Sequence, residues 1–201
     1  RRALAGRYHR KTAADILQGW DYWRSPGDPA DGASGATETS NPAASLFNAD
    51  ASAPDQPPYY VVQQFPGTDN PTFSLTTAFV ALRRQNLTAV ASVSSDPGDY
   101  GTIRLLQVPD SLTVNGPQQV ANQFGSDARV RDNLLPLERG NSDVVVGNLL
   151  TLPVGGGLLY IEPIYVRATS ANAYPTLQLV LAAFGDKVAS APTLAQALDQ
   201  L

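Results

Sequence analysis

A long uncharged stretch runs from residue 144 to residue 161, and Pro153 and the run Gly155-Gly156-Gly157 interrupt it near its middle. A membrane-spanning helix needs about 20 predominantly apolar residues in one continuous helix. Proline removes a helical hydrogen bond and clashes with the preceding turn, and glycine in a helix carries an entropic cost. The stretch therefore predicts two buried strands joined by a turn, and not a membrane span.

Strand-forming runs recur from residue 59 onward, and each is bounded by proline, glycine, asparagine or aspartate. They cover residues 59–65, 73–80, 87–93, 102–108, 143–152, 158–166 and 176–184. The links between the first four are short and carry turn residues such as Pro66-Gly67, which favours antiparallel neighbours over parallel strands with long crossovers. We therefore expect a mainly antiparallel sheet of about six or seven strands.

Helix signals occur in four segments, which are residues 10–20, 117–124, 128–135 and a closing segment that ends at residue 201. Thr12, Asp127 and Thr193 stand where N-cap residues are expected, because their side-chain oxygens can accept hydrogen bonds from the first N–H groups of a helix. Together the two kinds of segment predict an α+β fold, with short helices packed on one face of a mainly antiparallel sheet.

Composition limits the classes of function. Residues 24–58 are rich in Ala, Gly, Pro, Ser and Asp, which is typical of a low-complexity loop or insert. The formal net charge of −4 argues against nucleic-acid binding, and the absence of cysteine excludes disulfides and thiolate metal sites. We expect residues 1–201 to form a single domain, and the start at Arg1 predicts a piece of a longer polypeptide.

Signatures of the common enzyme classes are missing from the sequence. It contains no G-x-S-x-G elbow, no H-E-x-x-H helix, no phosphate-binding P-loop and no dinucleotide fingerprint. His9 is the only histidine, so no pair of histidines can hold a metal ion. A non-enzymatic function without a cofactor is therefore the leading interpretation.

Glu162 lies inside an apolar predicted strand, where an unpaired carboxylate would be costly to bury. Strand alternation places Tyr160 and Glu162 on one face, so the two form a candidate binding pair. Arg104 and Arg167 occupy comparable strand positions and could neutralise Glu162 through a charge-assisted hydrogen bond. A structural ion pair is the favoured interpretation, and a ligand site is the alternative.

Two other groups of residues carry alternative interpretations. Asp96 and Asp99 flank a Pro-Gly turn and could supply oxygen ligands to calcium, but two carboxylates do not fill a coordination shell, which favours an ordinary turn. Trp20 and Trp23 could stack on sugar rings, whereas packing beside the first predicted helix is the favoured interpretation.

The residues around the predicted turn, 147–163, read GNLLTLPVGGGLLYIEP. This long and unusual motif resembles the signature of a bacterial family called Uncharacterised Protein Family 0182. Other stretches are similar to the same family, including QPPYY at 56–60, DYG at 99–101 and AFGDK at 183–187. The resemblance therefore extends over nearly the whole chain.

Members of that family are large multi-pass membrane proteins, known mainly from actinobacteria and cyanobacteria. The resemblance implies that this chain is the C-terminal part of an extracytoplasmic region held at the cell membrane. Its main partner would then be the rest of the same protein, with lipid, cell-envelope glycan and oligomer formation left open.

Three functions are compatible with the resemblance and the residues. The leading one is a non-enzymatic extracytoplasmic binding or assembly domain. The alternatives are a cell-envelope hydrolase or transferase that uses the carboxylate of Glu162, with Asp99 as a second candidate, and a carbohydrate-binding module at Trp20 and Trp23.

Overall fold

A computed structural model of the chain describes residues 23–24, 56–81, 84–137, 142–169 and 173–201, with only the backbone described at 23–24. The helix predicted at 10–20 and nearly all of the segment 24–58 lie outside these residues. The described part consists of two five-stranded antiparallel sheets and three short helices. The α+β prediction is therefore confirmed in its coarse form, with antiparallel strands as the dominant element. The prediction of one sheet with six or seven strands is wrong, because the strands divide into two five-stranded sheets.

The first sheet, which we call the N-terminal sheet, contains β1 (Trp23–Arg24), β2 (Tyr59–Gln63), β3 (Thr72–Ala81), β4 (Leu87–Ser94) and β5 (Ile103–Gln107). β1 and β2 pair with one edge of β3, while β4 and then β5 follow on its other side. Four of these strands were predicted with closely similar bounds. The short turns between them lead to antiparallel pairing, as expected.

The second sheet, the C-terminal sheet, contains β6 (Ser142–Val146), β7 (Leu150–Val154), β8 (Gly157–Ala168), β9 (Thr176–Phe184) and β10 (Lys187–Ala191). The order is β10, β9 and β8, and both β6 and β7 pair with the remaining edge of β8. β10 was not predicted, because its alanine-rich sequence has little strand propensity of its own.

The single strand predicted over residues 143–152 is wrong, because the chain is interrupted between β6 and β7. Gly147 lies in this interruption, and its N–H donates to the carbonyl oxygen of Pro163 at 2.8 Å. A Cβ atom at Gly147 would lie only 2.7 Å from Cγ of Pro163. The close approach to β8 therefore requires glycine at this position.

A tight hairpin joins β7 to β8, as the sequence predicted. Val154 pairs with Gly157, which leaves Gly155 and Gly156 as the two turn residues. Their φ angles are 59° and 77°, and the turn types that suit a two-residue hairpin require such positive values. The uncharged stretch thus forms strands, and no helix among the described residues is long and apolar enough to span a membrane.

Helices α1 (Pro117–Ser126), α2 (Ala128–Leu134) and α3 (Leu194–Asp199) complete the described fold. The carboxylate of Asp127 accepts hydrogen bonds from the N–H groups of Arg129 and Val130, at 2.9 and 3.2 Å. The hydroxyl of Thr193 accepts from the N–H of Gln196 at 3.3 Å. Both predicted N-caps are therefore confirmed.

The helices do not share one face of the sheet, contrary to the prediction. α1 and α2 bury Phe124 and Val130 in a core that includes Leu181 of β9. α3 instead packs Ala197 against a cluster that includes Ala182. Consecutive strand residues point to opposite faces, so Leu181 and Ala182 mark two covered faces of the C-terminal sheet.

A third apolar cluster lies under the N-terminal sheet and contains Phe65, Ala78, Leu87 and Val90. Leu158 of β8 packs against this cluster and also against the core under α1 and α2. The two sheets therefore meet through a shared apolar contact.

Candidate functional site

The predicted binding pair Tyr160 and Glu162 lies in the interior of the C-terminal sheet. Their cross-strand partners are Ala183 and Leu181, both in the core under α1 and α2, so the two side chains share that face as predicted. Tyr160 is 4% exposed and Glu162 is 0% exposed. The Tyr160 hydroxyl donates to the carbonyl oxygen of Asn115, and burial raises the pKa of Tyr160 well above its usual range.

The two arginines proposed as partners of Glu162 bind other carboxylates. Arg104 lies 2.7 Å from Asp99, and Arg167 lies 3.4 Å from Asp143. Arg167 and Asp143 are cross-strand partners on β8 and β6, which fixes that pair by register. Each of the two arginines therefore forms an ion pair with a carboxylate other than that of Glu162.

The Asp96–Asp99 turn is held by hydrogen bonds to its own neighbours. The carboxylate of Asp99 accepts from Thr102, Arg104 and Ser94, and these bonds, together with the charge of Arg104, lower the pKa of Asp99. Its oxygens are thus already used by protein donors. Within the described residues there is no group of three or more His, Cys, Asp or Glu side chains that could hold a metal ion.

The two tryptophans of the carbohydrate-binding hypothesis cannot be placed as side chains. Trp20 lies outside the described residues, and of Trp23 only the backbone is described, in β1.

Polar contacts join the two sheets where β2 meets β7. The Tyr59 hydroxyl forms hydrogen bonds with both the N–H and the carbonyl oxygen of Thr151. Nε2 of Gln56 donates to the carbonyl oxygen of Leu149 at 2.8 Å. Burial raises the pKa of Tyr59 to about 12, although the two bonds to Thr151 act in the opposite direction. This seam fixes the N-terminal sheet relative to the β7–β8 hairpin.

Beside the seam lies a groove of about 780 Å³ between the end of β2, the segment after β5 and the β7–β8 hairpin. Phe65 is buried at its base, and Leu112 and Val154 are exposed on its rim at 60% and 50%. No residue that lines the groove is charged. The groove is therefore uncharged, and most of its lining residues are apolar.

The far side of the N-terminal sheet has an unexpected polarity. In β3 the hydroxyl residues Ser74 and Thr76 are 0% exposed, while Phe73 is 43% exposed. The usual alternation in a half-buried strand places the apolar residues inside and the polar ones outside. In the first half of β3 the polar residues are buried, and the apolar residues lie on the more exposed face.

Strand pairing extends this apolar surface across four strands, and we call it the outer face. Its residues are Tyr60, Val62, Phe73, Leu75, Thr77, Ala91, Val93, Ile103 and Leu105. None is charged, and Tyr60, Val62 and Leu105 are exposed at 62%, 66% and 49%. The rings of Tyr60 and Phe73 stack with centroids 5.1 Å apart.

Sequence reasoning missed the outer face. The available signal was the placement of Phe73, Leu75 and Phe79 at odd-numbered positions of the strand, with Ser74 and Thr76 at even-numbered positions. That pattern identifies the apolar face of a strand correctly. The pattern does not show whether the apolar face packs against the core of this chain or is exposed on its surface.

Known proteins resemble this chain in sequence, and no solved structure matches it. The chain is 45% identical to a UPF0182 protein of Kineococcus radiotolerans, of which it covers 20%. It is 44% identical to one from Clavibacter sepedonicus and 45% identical to one from Thermobifida fusca, of which it covers 21% and 18%. The chain thus spans about one fifth of the length of the curated relatives it matches.

These relatives match the whole chain, and the model of the Uncharacterised protein family (UPF0182) matches residues 1–137. The resemblance carried by the motif at 147–163 is confirmed by this independent match to the first two thirds of the sequence. The chain therefore belongs to the uncharacterised protein family UPF0182.

Proposed function

We propose that this chain is a non-enzymatic assembly domain that docks onto another part of a longer protein through the outer face. The inverted polarity of β3 carries this proposal, because the strand buries Ser74 and Thr76 while it exposes Phe73. Exposing an aromatic ring in water forgoes the free energy of its burial, about 25 cal/mol for each Å² of apolar surface. A partner that covers the outer face would recover that free energy.

The chemistry of the outer face indicates the kind of partner. Exposed apolar residues are common singly, whereas a contiguous apolar patch marks an interaction surface. Tyr60, Val62 and Phe73 form such a patch on neighbouring strands, and Ile103 and Leu105 extend it at the far edge. An uncharged surface of this type fits an apolar protein surface better than a nucleic acid or a charged substrate.

The length of the relatives favours a partner within the same polypeptide. Because the chain corresponds to about one fifth of each relative, most of such a protein is available to cover the outer face. Docking within one polypeptide also benefits from a high effective concentration. The family resemblance further supports a location on the extracytoplasmic side of a membrane, which is part of the proposal.

The hydrolase alternative has weaker support, because its leading carboxylate, Glu162, is fully buried at 0% exposure. A catalytic carboxylate must come within hydrogen-bonding distance of its substrate. Asp99 is more accessible, but Arg104 already binds it at 2.7 Å.

Thiol labelling tests the docking. The chain has no cysteine, so Val62→Cys and Phe73→Cys each introduce one reactive group on the outer face. The labelling rate with a water-soluble maleimide is measured in the 201-residue chain and in a full-length family member that carries the same substitution. We expect slower labelling in the full-length protein, after subtraction of the rate of the unsubstituted protein.

Tyr174→Cys serves as the control, because Tyr174 is 88% exposed and lies outside the outer face. Its labelling rate should be similar in both proteins. Equal rates for Val62→Cys and Phe73→Cys in the chain and in the full-length protein would contradict the proposal.

A further inference from the structure

Side chains cap the two outer strand edges of the C-terminal sheet at β7 and β10. At the β7 edge, Tyr59 bonds the N–H and carbonyl groups of Thr151. At the β10 edge, Nη2 of Arg129 donates to the carbonyl oxygen of Val188 at 2.8 Å, and the N–H of Ser190 donates to Oε1 of Gln200 at 3.3 Å. Capping of this kind prevents another strand from pairing there.

The edge of β5 in the N-terminal sheet differs from these capped edges in the partners of its backbone groups. The N–H of Ser94 donates to the carbonyl oxygen of Thr102, and the N–H of Val108 donates to that of Thr88, both at 2.9 Å. These bonds place the even-numbered residues of the β5 segment toward β4. In an antiparallel pair the residues between them direct their N–H and carbonyl groups the other way.

The residues so directed are Ile103, Leu105 and Gln107. No described residue donates to or accepts from their backbone N–H and carbonyl groups. All three are exposed, with Ile103 at 41% and Leu105 at 49%. Among the described residues nothing caps the edge of β5, which is flanked by apolar side chains, and such an edge is a template for another strand.

The sequence of β5 is suited to pairing with itself. When two copies of Ile103–Gln107 lie antiparallel about a two-fold axis at Leu105, Leu105 meets Leu105 of the second copy and Ile103 meets Gln107. The three outward residues would then exchange about six backbone hydrogen bonds. Arg104, which already binds Asp99 at 2.7 Å, would face Leu106 of the second copy, so no like charges oppose each other.

The opposite edge of the same sheet fits a second copy less well. The N–H of Ser95 donates to the carbonyl oxygen of Phe73, so the odd residues of β3 face β4 and its even residues face β2. Only Tyr60 and Val62 of β2 are then directed outward. The centre of symmetry would fall on Val61, whose backbone groups are used by β3.

We propose that β5 pairs with β5 of a second copy of this chain, so that the N-terminal sheet continues across a two-fold axis. This interaction uses the edge of the sheet, whereas the proposed function uses its outer face. The two proposals can therefore fail separately.

Disulfide trapping tests the pairing. Directly opposite residues that exchange backbone hydrogen bonds have Cα atoms about 5.5 Å apart, within the range that a disulfide spans. Leu105→Cys in the cysteine-free chain should therefore form a covalent dimer under mild oxidation, as read on non-reducing gels. Leu177→Cys is the matched control, because Leu177 is a strand leucine of the other sheet with 48% exposure. We expect at least a tenfold faster dimerisation for Leu105→Cys.

Charge substitution gives a second measurement without cross-linking. Leu105→Lys places two like charges across the axis and should shift the chain to a monomer in sedimentation velocity, while Leu177→Lys leaves the association unchanged. Circular dichroism checks that both variants and the parent chain fold. The same pair of substitutions is then compared in a full-length family member.

Three results would overturn the proposal. One is a folded parent chain that stays monomeric over the accessible concentration range. Another is equal cross-linking of Leu105→Cys and Leu177→Cys. The third is a monomeric full-length protein in which hydrogen exchange shows the outward amides of β5 to be protected, because a strand of the same polypeptide would then occupy the edge.

Discussion

The side-chain hydroxyl of Tyr59 bonds both backbone groups of Thr151. It donates to the carbonyl oxygen at 2.8 Å and accepts from the N–H at 2.7 Å. A neighbouring strand would occupy the same two groups if one were present. Tyr59 therefore joins the two sheets and at the same time caps the unpaired edge of β7 at Thr151.

Tyr59→Phe should destabilise the chain, because it leaves the N–H and carbonyl groups of Thr151 without their protein partner. Leaving such buried groups unsatisfied costs roughly 1–3 kcal/mol. The loss is measured as the change in the free energy of unfolding by urea. Tyr60→Phe is the control, since Tyr60 is 62% exposed and its ring stacking on Phe73 is kept. Equal stabilities for the two variants would contradict the role of the hydroxyl.

Stability should also fall at alkaline pH. Burial raises the pKa of Tyr59 from 10.0 to about 12, so the folded state holds this proton more tightly than the unfolded state. The resulting stabilisation is complete below pH 10 and is lost as the pH rises toward about 12. The free energy of unfolding, measured across that range, should decline less steeply in Tyr59→Phe than in the parent chain. An identical decline would show that Tyr59 ionises normally.

Local sequence patterns predicted the strands β2 to β5 and the N-caps Asp127 and Thr193, because these features depend on residues close in sequence. The seam between Tyr59 and Thr151 could not be predicted, since it joins residues far apart in the chain. The outer face could not be predicted either, because alternation within β3 identifies two faces without showing which one packs against the core.

For Glu162, the sequence placed it correctly beside Tyr160 on one face of a strand, which follows from the two-residue period. The carboxylates that Arg104 and Arg167 do bind, Asp99 and Asp143, could not be chosen from the sequence. Each arginine has a carboxylate nearby through strand register or a local turn, and those contacts are set by the pairing of strands.

Gly147→Ala should destabilise the chain by roughly 1–3 kcal/mol, the usual cost of inserting a methyl group into a packed site. The added Cβ would lie 2.7 Å from Cγ and 3.0 Å from the carbonyl oxygen of Pro163. Either β8 or the link between β6 and β7 must move. Gly98→Ala is the control, because nothing lies within 4 Å of a Cβ at that turn position. The melting temperatures of the two variants are compared with that of the parent chain. An unchanged melting temperature for Gly147→Ala would contradict the close approach of Gly147 to Pro163.

Acid should weaken the Asp96–Asp99 turn. Hydrogen bonds from Thr102 and Arg104 lower the pKa of Asp99 from 3.8, so the folded state favours the charged carboxylate. The stabilisation is present above the unfolded value and is lost as the pH falls through the lower folded value. Asp99→Asn cannot ionise, so its deficit in melting temperature relative to the parent chain should be largest near neutral pH and shrink below pH 3.8.

Asp96→Asn provides the matched control, because it changes the other aspartate of the same turn and leaves the contact between Asp99 and Arg104 intact. At neutral pH its melting temperature should be higher than that of Asp99→Asn, which loses this contact. High salt should reduce the deficit of Asp99→Asn at neutral pH, because a pair exposed to solvent is screened by ions. A deficit that stays constant with pH would mean that the loss does not depend on ionisation of the Asp99 carboxylate. The charge of Asp99 would then contribute nothing to the turn.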